Sequence, residues 1–312
     1  MPDTTVDIDA TLRRLRADFS DIVAQFVRDQ VDVLTGISPD LLPLLDTLED
    51  LLDGGKKLRP TFAYWGWRSA GGAPEGPILS AAAALEFLQA CALIHDDVMD
   101  GSDTRRGKPA AHRRLASMHR SHGYLGSPED FGVGSAILLG DLCLSWSDEL
   151  LMASGLAPAA LEAAKPIFDE MRTELMAGQY LDLLEQVRGD YSLDSALQVA
   201  RYKSAKYTVE RPLHIGAAAA GADSAHLEQL TAFGSLTNER SFRAFQFLRQ
   251  FFCGLFALLA FAFQMFLLGF EIRDVFLAGA QSFFLRQEEV TRVTGTDGDD
   301  ITHLTQTFHA FK

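Results

Sequence analysis

Apolar positions recur at helical spacing along most of the chain. The stretches 6–34, 80–99, 135–153, 157–187 and 193–220 place hydrophobic residues three and four apart, which predicts helices. Within them, LSAAAALEFLQACALIHDD has high helix propensity, contains no breaker, and predicts a largely buried helix. Turn signals fall between these stretches: AGGAPEGP at 70–77, SHGYLGSPEDFGVG at 121–134 and RGDYS at 188–192. No period-two alternation is long enough for a sheet, and no internal repeat is visible. The expected fold class is all-α.

Composition changes this picture in one place. Six of the 22 Phe lie in residues 1–232 and the remaining sixteen in 233–312. From Phe251 to Phe270 the chain has no charged residue over 20 positions, a length that as a helix could cross a bilayer. The expected organisation is a helical core over 1–234 and a divergent, Phe-rich helical region over 235–312 of the same domain. Three readings of 251–270 stay open: a buried helix, a membrane-associated helix, or a rearranged segment that does not fold normally.

A net charge of −14 leaves no basic stripe for a phosphate backbone, so nucleic acid is not an expected partner. Small phosphorylated substrates remain compatible if local cations override the acidic field. Cys91, Cys143 and Cys253 each sit in apolar runs, an odd number that suggests buried, reduced thiols in a cytoplasmic protein. The polar, mixed-charge N-terminus is neither a signal nor a transit peptide in pattern.

The most informative segment is ALIHDDVMDGSDTRRGKPAAH. Asp96, Asp97 and Asp100 stand at i, i+1 and i+4, so on a helix Asp96 and Asp100 share a face. Like charges at this spacing repel unless a cation occupies the site. Mg²⁺ suits such oxygen donors, because it is usually held by one or two carboxylates plus substrate phosphates. Arg105 and Arg106 follow directly and supply guanidinium forks for phosphate. The bland alternative, a solvated acidic helix end, fits poorly with the apolar turns before it.

HDDVMDGSDTRRGKPAAH resembles the first aspartate-rich motif of the trans-prenyl diphosphate synthases, D-D-x-x-D followed by R-R-G. DGGKKLRP at 53–60 is similar to their G-G-K-x-x-R-P segment, ELMAGQYLDLLEQ at 174–186 to G-Q-x-x-D, and RYKSAKYTVERPLHIGA at 201–217 to K-T-(A/G)-x-Y-T. The resemblance implies an antiparallel helical bundle of the isoprenoid synthase type. It implies a Mg²⁺-dependent prenyltransferase with isopentenyl diphosphate and an allylic diphosphate as substrates. Lys56, Arg59, Gln89 and Arg106 would hold isopentenyl diphosphate. Lys203, with Ser204 where the family usually has Thr, would meet the allylic diphosphate, and Gln179 would face the same site. Asp182 and Asp141 read equally well as structural, and Lys206 reads as solvent-exposed. Cys91 and Ala92, one turn before the aspartates, would line the floor of a chain-length pocket. Their small size implies a product of about twenty carbons or more by analogy. Homodimer formation and membrane association through 251–270 are open expectations.

The family's second aspartate-rich motif has no clean copy here. AFQFLRQFFCGLF at 244–256 has Gln250 and Phe251 in place of the paired aspartates, and GFEIRDVFLAG at 269–279 keeps Asp274 followed by Val275. Asp274 is therefore the expected carboxylate of the second half-site. An active synthase is the leading expectation. A diphosphate-binding homologue of little or no activity is the alternative, and a terpene cyclase is disfavoured by the G-G-K-x-x-R-P match.

Overall fold

The computed structural model describes residues 8–188 and 192–234. Within them the chain is almost wholly helical. Helix α1 (Ile8–Ile37) is followed by a 3-10 turn, α2 (Leu42–Leu52), α3 (Leu58–Ser69) and α4 (Ile78–Met99). A two-residue hairpin pairs β1 (Thr104–Arg105) with β2 (Lys108–Pro109) in antiparallel register. Then come α5 (Ala111–Ser121), α6 (Pro128–Met152), α7 (Pro158–Arg188), α8 (Leu193–Val199), a π-helix (Ala200–Glu210) and α9 (Arg211–Ala219). The all-α expectation holds.

Helix α4 is central because it has no polar side to leave in water until its C-terminal end. Its residues Ala81–Leu88 are all buried, and it packs against α6, α3 and α1. Among the described residues it is the one helix long and apolar enough to cross a membrane, yet most of its surface lies inside the core. Helix α1 contributes a stripe at four-residue spacing: Leu15, Phe19, Val23 and Val27. Phe26, Phe87 and Trp146 meet where α1, α4 and α6 cross, with ring centroids 5.0–6.2 Å apart. On the other side, α3 and α9 approach so closely that a Cβ on Gly216 would lie 1.8 Å from the Ala63 carbonyl oxygen.

Two boundaries differ from expectation. The stretch 121–134 was expected as a turn, but α6 begins at Pro128, with Ser127 capping the Asp130 amide. Gly132 looks like a breaker in sequence; in the fold it is the contact point with α5, where a Cβ would meet the His112 carbonyl at 2.2 Å. The stretch 193–220 was expected as one helix, but it divides into α8, the π-helix and α9. Residues 251–270, Cys253, Gln250 and Asp274 lie outside the described residues.

Candidate active site

The C-terminal end of α4 carries the aspartates out of the core. Asp96, with its side chain 19% exposed, accepts from Arg105 Nη2 at 3.3 Å, Gln179 Nε2 at 3.1 Å and Lys203 Nζ at 3.0 Å. These donors come from the hairpin, α7 and the π-helix, so three separate elements meet on one carboxylate. Asp97 turns the other way, as the helical 100° step requires. It is buried and accepts Arg105 Nε on both oxygens, at 3.0 and 3.2 Å, with a close contact to Nη2. Hydrogen bonding to Asp97 is the main reason the Arg105 guanidinium is raised still further above its ordinary value. Lys203 also donates to Asp182 Oδ2 at 2.5 Å. Burial works against its charge, but the hydrogen bonds to Asp182 and Asp96 outweigh burial and raise it, so Lys203 is an ammonium.

Asp100 does not join this cluster. It caps α4, is exposed, and makes no side-chain hydrogen bond or ion pair among the described residues. Asp96 and Asp97 share Arg105 while Asp100 stands apart from them, and no group of three metal-ligating side chains forms among the described residues. Arg105 and Lys203 hold Asp96 and Asp97, while Asp100 stays in solvent.

The phosphate-binding candidates fall into two groups. Arg106 sits at a left-handed φ of 53°, donates to the Leu51 carbonyl at 3.2 Å, and faces Gly55 of the glycine loop. Arg105 and Arg106 line a cavity of about 370 Å³ between α2, α4, the hairpin and α5, with Asp50, Asp53, Asp97 and Arg114. Asp50 ties the hairpin and α5 to α2 through Lys108, at 3.1 Å, and Arg114. Arg59 lies instead beneath the π-helix: its Nη2 donates to Thr208 Oγ1 at 2.9 Å and its guanidinium stacks 4.1 Å from the Tyr207 ring centroid. Lys56 and Ser204 are exposed. Arg105 and Arg106 thus line one cavity, and Arg59 is paired elsewhere, against the π-helix.

Buried polar atoms without partners mark where a ligand's polar groups would be welcome. Arg59 Nε, Gln89 Oε1 and the Tyr207 hydroxyl are all of this kind. Cys91 is fully buried, with Sγ 3.7 Å from His95 Nδ1. Burial first, and the Asp141 carboxylate second, push its thiol up to about 12. Ala92 is half-buried, and neither residue lines the cavity beside the hairpin.

Some residues escaped the sequence reading. Lys57, next to Lys56, is the buried one: its Nζ pairs with Glu86 at 3.0 Å and donates to the Leu52 carbonyl at 2.9 Å. Tyr207 and Thr208 gave no separate signal. Lys206, expected in solvent, is buried and paired with Glu174 on α7. Asp141 is 60% exposed and stands 3.6 Å from His95 Nε2.

The sequence model of the polyprenyl synthetase family matches residues 43–243. The chain belongs to the polyprenyl synthetase family. Within that family it is 32% identical over 203 residues to a geranylfarnesyl diphosphate synthase of Natronomonas pharaonis, covering 59% of this chain and 54% of that protein. It is 30% identical over 183 residues to a geranylgeranyl diphosphate synthase of Methanosarcina mazei, covering 59% and 51%. The chain spans about half the length of these curated relatives. Among solved structures it resembles a geranylgeranyl pyrophosphate synthase of Corynebacterium glutamicum complexed with isoprenyl diphosphate and magnesium. That likeness has a TM-score of 0.69 and 39% identity, and covers 72% of this chain and 64% of that one.

Proposed function

We propose that this polyprenyl synthetase is a Mg²⁺-dependent prenyltransferase. It condenses isopentenyl diphosphate with an allylic diphosphate to give an isoprenoid diphosphate of about twenty carbons. The observation that carries the reading is the meeting of Arg105, Gln179 and Lys203 on Asp96. The hairpin, α7 and the π-helix, the last two 83 and 107 positions away, bring the family's motif residues to one carboxylate, an arrangement that a solvated acidic helix end would not need.

The donor set fits a magnesium ion. Asp96 and Asp100 are hard oxygen donors one helical turn apart at the open end of α4, and Asp100 is free of protein partners among the described residues. Bound there, the metal would supply charge stabilisation for the departing pyrophosphate. The chain's own residues do the rest. Lys203, kept protonated, and Arg105 place fixed positive charge beside the allylic diphosphate. The family resemblance assigns Arg59, Gln89, Arg106 and Lys56 to isopentenyl diphosphate; of these, Arg59 Nε and Gln89 Oε1 are buried without partners and would take that polar load, while Arg106 stands in the cavity beside the hairpin.

The test is the full chain with Mg²⁺, labelled isopentenyl diphosphate and allylic primers of three lengths. Labelled, longer diphosphates are expected; absence of product with all three primers refutes the reading. One observation favours a second reading, a diphosphate-binding homologue of low activity. The stretch 244–279 keeps Asp274 alone where the family carries paired aspartates. Tight substrate binding without turnover would select it.

A further inference from the structure

We propose that Glu174 is a positioning residue for Lys203: it locks the π-helix in the wide register that aims Lys203 at Asp96. This rests on the assignment of Lys203 to the allylic diphosphate.

The evidence is one carboxylate with two cations. Glu174, on α7, has a side chain only 14% exposed. It accepts Arg211 Nε at 2.7 Å and Arg211 Nη2 at 2.7 Å, and makes a close contact with Lys206 Nζ. Lys206 and Arg211 are five residues apart, and the Arg211 amide donates to the Lys206 carbonyl, which is the π-type hydrogen bond. In an α-helix, residues five apart point about 140° away from each other. One carboxylate could not take both. In the π register they stack on one face, so Glu174 binds both only while that register persists. Despite the burial of its carboxyl, hydrogen bonds from Arg211 and Lys206 hold Glu174 below the usual carboxylate range.

The same π-helix carries Lys203, three residues before Lys206, and Lys203 reaches Asp96 and Asp182. A return to α geometry would turn Lys203 relative to Lys206 and swing that contact away. Gly178 makes the clamp possible, since a Cβ there would lie 2.8 Å from the Lys203 amide nitrogen. With only hydrogen at that point α7 lies flush on the π-helix, one residue before Gln179 turns to Asp96. Nothing in the reaction needs Glu174 to touch substrate. Its role is to select a backbone geometry, and π-type turns recur at functional sites because they re-aim side chains in this way.

The experiment is a double-mutant cycle on the full chain. Glu174→Gln and Lys203→Ala are compared singly and together for binding of farnesyl thiodiphosphate, an allylic probe that does not ionise, with Mg²⁺ present. Isopentenyl diphosphate binding is measured in parallel. Glu174→Gln should weaken the allylic probe about tenfold, leave isopentenyl diphosphate within about twofold, and add nothing in the Lys203→Ala background. A folded Glu174→Gln protein that binds the probe normally overturns the proposal. So does equal weakening of both ligands, which marks a merely structural role, or a loss that is undiminished in the Lys203→Ala background. If Glu174→Gln does not fold, Lys206→Met carries the same comparison, because it leaves Glu174 bonded to Arg211. If Lys203→Ala binds the probe like the unaltered chain, the assignment of Lys203 falls, and the proposal with it. That outcome is read from Lys203→Ala alone and is separate from the others.

Discussion

Replacing Lys57 with Met tests how the glycine loop is held. The Lys57 side chain is 2% exposed and that of its partner Glu86 11%, so the pair is out of water. Lys57→Met removes the ammonium and leaves a carboxylate buried and uncompensated, which costs about 3–5 kcal/mol. The lost hydrogen bond to the Leu52 carbonyl contributes about 1 kcal/mol within that range. Backbone strain does not enter the comparison: Lys57 sits at φ 49°, and Met is no worse there than Lys. Lys57→Gly would relieve about 1–2 kcal/mol of left-handed strain, too little to offset the lost pair. Adding Glu86→Leu to Lys57→Met should restore most of the stability, because both charges are then gone. Equilibrium urea unfolding gives the three values, with unchanged slope as the check that the unfolded state is the same. A Lys57→Met protein within 1 kcal/mol of the unaltered chain, about the worth of one hydrogen bond, would refute the reasoning. So would a double variant no more stable than the single one.

Gly216→Ala would set a Cβ 1.8 Å from the Ala63 carbonyl oxygen, a backbone atom that cannot step aside. We expect a loss of about 3 kcal/mol, seen as a fall in Tm of roughly 10 °C. Cys91 and Cys143 should resist maleimide at pH 8 in the native protein and react fully in urea, read by peptide mass spectrometry, since burial raises both thiols. The raised Cys91 thiol favours the protonated folded state, so its contribution to stability is intact below pH 9.0 and declines as pH rises towards about 12. His214 is lowered from 6.5, by burial first and Arg211 second; the unfolded chain therefore takes up the proton before the folded one, and stability falls as pH drops below 6.5. His214→Gln should shrink the difference between urea midpoints at pH 7 and pH 5.5. Ala92→Phe should shorten the product made with labelled isopentenyl diphosphate, and unchanged length in an active variant would place the chain tunnel elsewhere.

How much of this was readable from sequence depended on how local each cause is. Helix α4 and the Asp96–Arg106 segment were readable because apolar spacing, the i, i+4 aspartates and the paired arginines all lie within one stretch. The start of α6 was not, because Gly132 is tolerated through its contact with α5 and not through propensity. Lys206 looked like solvent because its partner, Glu174, is 32 positions away on another helix. Lys56 and Lys57 are the same residue type side by side; only the left-handed backbone at Lys57 sends one inward to Glu86 and leaves the other exposed. The π-helix has no local signature of its own. Its hydrogen-bond register is set by contacts with α7, which no window along 200–210 contains.

These non-local contacts explain how two adjacent aspartates are accommodated at the end of an apolar helix. Asp96 and Asp97 would repel each other in isolation, and Asp97 is buried. Arg105 bridges both, and Lys203 and Gln179 complete the shell of Asp96. The cations that hold them are the ones assigned to substrate phosphate, so on that assignment a diphosphate would compete with the carboxylates for the same donors. Asp182 gives Lys203 a second anchor at 2.5 Å. Lys203 can therefore release Asp96 without becoming an unpaired charge. The placement of the two carboxylates therefore depends on the hairpin, α7 and the π-helix as well as on α4.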